Sequence, residues 1–346
     1  MTQGLTIVAA GFHPTIQDLG RWGGQDLGIP VSGALDTLAL RLANALVGNA
    51  ENTGALELRL LGPSIEVTAE SVRIALTGTE AHIEIQGHEA RNVPAGRSVR
   101  LMRGQTFRIG AVRDTACAYL AVEGGFDLPA PYGSQSTYIR SAIGGFEGRA
   151  LKDGDRLGLN KTNVALDEDR LIGDAGNFYG DGPIRIVFGP QRDYFEDKAV
   201  KTLVTSQYTI TKEADRMGVR LDGPALDHKK GFNIASDGIA NGAIQVPGTK
   251  LPIVLLADHQ TTGGYPKIAT VISADLPRLG RLKPGATLRF QAIDVAEAEQ
   301  VRRTQEAAFR HVIDAIRPIY DSAELNETAL YHVNLISGAV RISGLR

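Results

Sequence analysis

His82-Ile83-Glu84-Ile85-Gln86 sets two isoleucines on one side of an extended chain and polar groups on the other. A period of two marks a half-buried β-strand, because successive side chains leave a pleated backbone on opposite faces. The same spacing returns in Val99 with Leu101, Phe107 with Ile109, Tyr208 with Ile210, and Leu288 with Phe290. Apolar runs at Cys117 to Val122, Ile184 to Phe188 and Ile253 to Ala257 read as strands covered on both faces. Only two segments carry a helical pattern. Asp36 is placed to cap a helix with Leu38, Ala39, Leu42, Ala43, Leu46 and Val47 on its inner side and Gly48 at its end. Asp294 opens a longer one with Ala298, Val301, Ala308, Phe309, Val312 and Ile316, which Pro318 is expected to end. The chain therefore reads as mainly β with a few helices.

Composition narrows the functional classes. The 346 residues carry 37 basic and 39 acidic side chains, so the basic excess that gains affinity from phosphate backbones is missing. Aromatics make up 6%, few for stacking on bases, and nucleic acid is not expected as a partner. The single cysteine, Cys117, cannot close an intramolecular disulfide and reads as an inert core residue, which points to a reducing, cytoplasmic setting. The N-terminal residues have no basic start and too short an apolar run for a secretory signal. The longest apolar stretch, Leu251 to Ala257, is broken by Pro252 and falls well short of the roughly 18 residues that span a bilayer, so no membrane association is expected. Forty glycines, about 12% of the chain against an average near 7%, imply many tight turns and glycine-lined loops.

A polar stretch from Asn160 to Gly182 suggests a linker. The expected organisation is an N-terminal β unit over 1–165 with one early helix, a linker over 166–182, a second β unit over 183–293, and a helix and tail over 294–346 that lies against the barrels. Gly124-Gly125-Phe126 and Gly263-Gly264-Tyr265 each follow an apolar strand. That fits a duplicated unit or a coincidence of strand ends equally well.

Three loops hold polar groups at a density unusual for plain turns. Asp258-His259-Gln260-Thr261-Thr262-Gly263-Gly264-Tyr265-Pro266 follows directly on an apolar strand. Asp258 could act as base or orient a neighbour, the amide and hydroxyls could hold a small polar substrate, and the glycines permit positive φ and close backbone approach. A solvated loop bonded to its own backbone is the competing reading. Upstream, Arg216 and Arg220 share a face in helix or strand and suit an oxyanion or phosphate, while an exposed ion pair with Asp215 is the plainer alternative. Near the start, Gln17-Asp18-Leu19-Gly20-Arg21-Trp22 holds the one tryptophan, placed for a partner surface or as a lid over the core.

Other chemistries leave no trace. The sequence has no Walker-type phosphate loop, no dinucleotide glycine fingerprint, no His-Glu-x-x-His, no nucleophile elbow and no biotin-carrying Ala-Met-Lys-Met. The seven histidines are scattered, so no metal site is legible.

Taken together, Gln17 to Arg21, Gly28 to Asp36, Ala43 to Asn49, Arg216 to Pro224, and Gln245-Val246-Pro247 through Tyr265-Pro266 resemble the biotin-dependent carboxyltransferase-like family, often labelled allophanate hydrolase subunit 2. That family includes the C subunit of bacterial 5-oxoprolinase, the KipA regulator and half of the carboxyltransferase domain of urea carboxylase. The likeness runs from about Gly11 to Phe290, with a weaker echo at Leu335-Ile336-Ser337-Gly338. It implies two cyclophilin-like β-barrel units and a smaller, KipI-like subunit 1 partner that completes the active site. It does not imply the amide hydrolysis of the old label, since the serine-rich amidase signature is missing. Two positions depart from the pattern: His259 stands where arginine is common, and Ala214 where serine is common.

The first expectation from this likeness is a subunit of an ATP-dependent 5-oxoprolinase that opens a small lactam, with ATP shared with its partners and a lactam-utilisation (A-type) subunit alongside. Arg216 and Arg220 would stabilise oxyanion or phosphate charge, and Asp258 would be base or orienter. Gln245, His259, Gln260, Thr261, Thr262, Gly263, Gly264 and Tyr265 would place the substrate, with Gln17, Asp18 and Arg21 closing the site or gripping the partner. The alternatives are a carboxyltransferase component using biotin carried on another chain, and a non-catalytic regulator of a KipI-type kinase inhibitor.

Overall fold

The alternating stretches pair into two β units in the computed structural model, which describes residues 3–87, 90–166, 168–173 and 178–319. In the first unit, one antiparallel sheet has the strand order Arg156–Gly158, Gly4–Ala9, Ser64–Val67, Thr106–Ile109, His82–Ile85, Arg91–Pro94. The other has the order Thr15–Gln17, Ala55–Leu58, Ala118–Val122, Ser71–Thr77, Ser98–Met102. Ile83 lies opposite Val93 on one side and Ile109 on the other, so the inward faces coincide across the sheet. Ile83, Ile85, Phe107 and Ile109 then meet Leu56, Leu58, Val99 and Leu101 in one apolar core.

The second unit is a closed barrel. Its strands run Ile184–Phe188, Lys267–Val271, Ala243–Gln245, Ile253–Leu255, Gly218–Asp222, Gln207–Ala214 and Thr287–Ala292. The parallel pair of Ile184–Phe188 with Thr287–Ala292 closes the ring, and closure removes the open sheet edges. Tyr208, Ile210, Val219, Leu221, Ile244, Val254, Leu288 and Phe290 fill the interior. Alternation along these strands sends Gly218, Arg220, Gln245, Ile253 and Leu255 to the outer face. The fold is mainly β with few helices, as the alternation indicated.

Four α-helices complete the described residues: α1 (Thr37–Leu46), α2 (Asp197–Thr205), α3 (Leu276–Gly280) and α4 (Val295–Asp314). Asp36 caps α1 by accepting from the amides of Leu38 at 3.1 Å and Ala39 at 3.0 Å. Ala39, Leu40, Ala43 and Leu46 of α1 belong to one continuous apolar cluster with the barrel interior, while Leu38 and Leu42 meet Phe309 and Val312 of α4. The early helix thus bonds the two units rather than decorating the first.

Several expectations are corrected. α4 ends at Asp314, short of Pro318, because Ile316–Pro318 leaves the helix to pair with Arg170–Ile172. The expected linker is docked along part of its length: Ser98 Oγ accepts from the Arg170 amide at 2.7 Å, and Phe178 stacks edge-on against Phe309. Ile184–Phe188 has one covered face only, since Arg185, Val187 and Phe188 are half-buried; a barrel strand needs just its inner side covered. α2 and α3 escape a periodicity search because they are short, and α2 is rich in the β-branched Val200, Thr202, Val204 and Thr205. Leu335 to Gly338, and the tail beyond residue 319, lie outside the described residues. Among the described residues, no helix is long and apolar enough to cross a membrane.

Candidate functional site

Arg216 and Arg220 part company. The strand Gln207–Ala214 ends before Asp215, and Asp215 turns the chain by accepting from the amides of Met217 at 2.8 Å and Gly218 at 3.2 Å. Arg216 sits in that turn and points inward; Arg220 lies on the following strand, half-exposed, with Nε 2.9 Å from Glu213 Oε2. The shared face inferred from their spacing is lost because the turn interrupts the extended backbone. Asp215 serves the turn and does not pair with Arg216.

Arg216 is buried, with every side of its guanidinium engaged. Nε donates to Asp258 Oδ2 at 2.8 Å and Nη2 to Asp258 Oδ1 at 3.0 Å. Nη2 also donates to the Gly33 carbonyl, and Nη1 to Glu57 Oε1, each at 2.6 Å. Glu57 is held in turn by the Tyr119 hydroxyl at 2.6 Å and the Leu35 amide at 3.1 Å. Burial opposes the charge on Arg216, but Asp258 and Glu57 outweigh it and hold its pKa above the ordinary value. Burial likewise pushes Glu57 up, and Arg216 with its hydrogen bonds brings it below the usual carboxylate range. Glu57 comes from the first unit and Asp258 from the second, so this fork is a latch between them. The expected role of Arg216 as oxyanion binder does not fit this geometry, because its donors are spent on Asp258, Glu57 and Gly33; Asp258, expected as base or orienter, is engaged with Arg216 through both of its oxygens. The reading missed Glu57, whose signal is a lone carboxylate between Leu56 and Leu58 in a strand otherwise apolar.

Beside the latch, the outer face of the barrel opens into a groove of about 540 Å³. Its floor includes Gln245, Ile253, Leu255 and Gln260, and its walls carry Lys212, Glu213, Arg220, Met217 and Tyr265. Arg140 reaches in from the first unit, so both units build the site. Among the described residues neither Arg140 nor Lys212 has a carboxylate partner. Of the expected residues, Arg220, Gln245, Gln260 and Tyr265 therefore meet here; Ala214 lines the groove as well. Arg140 and Lys212 were missed, since a lone cation in a loop or strand carries no local signal.

The remaining expected residues support the groove from behind. His259 is buried, its Nδ1 2.6 Å from the Gln260 carbonyl, and burial lowers its pKa. It is a neutral strut, not a replacement cation for a substrate anion. Thr262–Gly263 pairs with Asp237–Gly238, and the Thr261 and Gly264 carbonyls accept from Ile239 at 3.0 Å and Ile234 at 2.8 Å. Neither Gly263 nor Gly264 uses the left-handed φ that glycine permits. A Cβ on Gly263 would lie 2.8 Å from Ile239 Cδ1 and 2.9 Å from Gln245 Nε2, so a larger residue there would have to displace the ends of those two side chains.

Gln17, Asp18 and Arg21 are buried and cannot grip a partner. They hold the loop that carries Arg140. Asp18 accepts from Ser134 Oγ at 2.7 Å, Ser136 Oγ at 2.5 Å and the Gln135 amide at 2.7 Å. Gln17 donates to the Thr137 carbonyl at 3.2 Å, and Arg21 to that of Ser136. Trp22 beside them is 73% exposed, so it is no lid over the core. Cys117 is buried, and burial pushes its thiol well above the ordinary range, as an inert core cysteine requires. Among the described residues, no group of three or more His, Cys, Asp or Glu could hold a metal ion.

A closed barrel latched to a two-sheet β unit, with a polar groove that both units line, defines the class. The chain belongs to the family described as carboxyltransferase domain, subdomain A and B, whose model matches residues 27–292. It is similar to the C subunit of 5-oxoprolinase from Haemophilus influenzae, 38% identical over 89% of this chain and 96% of that protein. The C subunit of Escherichia coli 5-oxoprolinase is 36% identical over 89% of this chain and 97% of that one. Urea amidolyase of Saccharomyces cerevisiae is 32% identical over 88% of this chain but only 17% of its own length. The crystal structure of Kluyveromyces lactis urea carboxylase superposes with a TM-score of 0.80 at 27% identity, covering 93% of this chain and 31% of that one. These relatives are parts of enzymes.

Proposed function

We propose that this chain is the C-type subunit of an ATP-dependent 5-oxoprolinase, acting on a small lactam within a complex that includes a KipI-like subunit and an A-type subunit. The observation that carries the reading is the match to the 5-oxoprolinase C subunit over nearly that protein's whole length, at 38% and 36% identity. The groove supports it. Arg140 and Lys212, cations without acidic partners, suit the carboxylate of 5-oxoproline. Here ATP is shared with the partner subunits, and the groove itself, which among the described residues has no glycine-rich backbone cradle for a triphosphate, takes the lactam. In this reading, the chain's own residues bind and orient the lactam while the assembled complex supplies activation. The test is to combine the full chain with its partner subunits and follow glutamate formation from 5-oxoproline. ATP-dependent release is expected, and its absence from the complete set overturns the proposal.

The superposition on urea carboxylase favours a second reading, transfer of a carboxyl group from biotin held on another chain. Carboxylation of urea by this chain with a biotinylated carrier and a biotin carboxylase, without glutamate release, would replace the first reading by the second.

A further inference from the structure

The strand Gln207–Ala214 is irregular where it borders the groove. Ile210 pairs with Leu221 and Ala214 with Val219, so Thr211, Lys212 and Glu213 together stand against the single Arg220. A bulge of this kind re-aims side chains and is common beside active sites. Here it lets three consecutive residues line one continuous surface depression, which the alternation of a regular strand would not allow. Past Arg220 the groove continues into a second chamber of about 220 Å³, lined by Thr211, Thr249, Leu251 and Pro252. Glu213, Arg220 and Ile253 line both chambers and so mark their junction. The ion pair at that junction, Arg220 Nε to Glu213 Oε2 at 2.9 Å, joins two exposed side chains. Such pairs are weak, so a ligand carrying both charges can part them at little cost. Among the described residues, neither side chain has another oppositely charged partner.

We infer that Glu213 and Arg220 form a subsite for the zwitterionic head of a free α-amino acid, ammonium at Glu213 and α-carboxylate at Arg220, and that it holds the product of lactam opening. The identity of that amino acid, glutamate, rests on the lactam-opening reading; recognition of a zwitterion rests on the pair and its chambers. 5-Oxoproline has one carboxylate and a neutral ring N–H, so it brings no positive charge to Glu213. Hydrolytic opening breaks the ring C–N bond and adds the elements of water across it. The nitrogen becomes an amine that is protonated at neutral pH, and the ring carbonyl becomes a second carboxylate. The planar fork of Arg220 suits the α-carboxylate. Arg140 and Lys212, in the first chamber, remain for the other carboxylate. A zwitterion meets both charges of the pair at once, so neither is left uncompensated when the pair parts. Substrate and product therefore differ in the one charge that Glu213 can read.

The test measures equilibrium binding of L-glutamate and of glutarate, which has the same two carboxylates but no ammonium, to the full chain alone and in its assembled complex, without ATP. Wild type is expected to bind glutamate about tenfold more tightly than glutarate, the worth of one charge-assisted contact. Glu213→Gln, which keeps the size and removes the charge, is expected to erase that preference by weakening glutamate alone. Arg220→Gln is expected to weaken both probes. Both side chains are exposed, so the variants should fold, and melting curves check that they do. Equal affinity for the two probes in wild type, or a preference that survives Glu213→Gln in the folded protein, overturns the inference. Failure of the complete complex to form glutamate from 5-oxoproline, with the preference intact, overturns the lactam-opening reading alone and leaves the zwitterion subsite standing.

Discussion

Arg216 donates to two carboxylates and a carbonyl from both units at 2.6–3.0 Å. Removing one member of a buried ion cluster strands the others, which costs about 3–5 kcal/mol. Arg216→Met is therefore expected to lower the urea-unfolding free energy by about that amount, because Glu57 and Asp258 lose their shared partner. Lost turnover at unchanged stability would instead make Arg216 a chemical group. Arg140 is the opposite case. It is exposed and unpaired, so Arg140→Ala should change stability by no more than about 0.5 kcal/mol while raising KM for 5-oxoproline about tenfold, as loss of a charge-assisted contact predicts. Steady-state kinetics of the assembled enzyme together with a melting curve separate the two effects.

At the scale of elements, α1 is fastened at its start and along its side. Asp36 caps it and also accepts from the Tyr179 hydroxyl at 2.5 Å. Asp36→Ala is expected to destabilise by about 2 kcal/mol, at the upper end for a lost cap, as read from chemical denaturation. Along its flank, Arg41 bridges to Glu306 of α4 at 2.5 and 2.9 Å. Hydrogen bonds from Arg41, with Arg302 and Arg310 nearby, hold the Glu306 pKa down to about 2, below its ordinary 4.5. A folded-state value below the unfolded one means that this stabilisation is complete above about pH 4.5 and drains away as the pH falls toward 2. Glu306 is about one-third exposed, so solvent screening leaves on the order of 1 kcal/mol. The stability gap between wild type and Glu306→Gln should therefore close between pH 4.5 and 2; a gap that stays constant across that range would contradict the account.

For the whole molecule, the groove exists only where the Arg140 loop of the first unit meets the barrel wall of the second. The chain sets that meeting through Arg216 and through the Asp18 bracket on residues 134–136. An Asp18→Asn variant, which weakens the bracket without touching the groove, should raise KM for 5-oxoproline, and Arg140→Ala should add little on top of it. Independent, additive effects would show that the bracket does not act through Arg140.

Alternation from His82 to Gln86, the Asp36 and Asp294 caps, and the polar run after Ala257 were legible because each is a local pattern with a local cause: pleat, cap or strand end. Three groove residues, Arg220, Gln260 and Tyr265, lay within stretches singled out by their polar side chains, and Gln245 within one marked by the likeness alone. What the amino-acid order could not reveal is which way a side chain faces once a turn intervenes, as at Asp215, or which distant residue meets it. Glu57 and Arg216 are 159 positions apart, and Arg140 reaches the groove only through a loop held by Asp18. Strand periodicity, helix starts and family membership were thus determined by the chain itself, since they depend on neighbours within a few residues. The split of two arginines into latch and groove wall was decided by the tertiary structure alone, because burial and charge pairing depend on which surfaces the two units bring together.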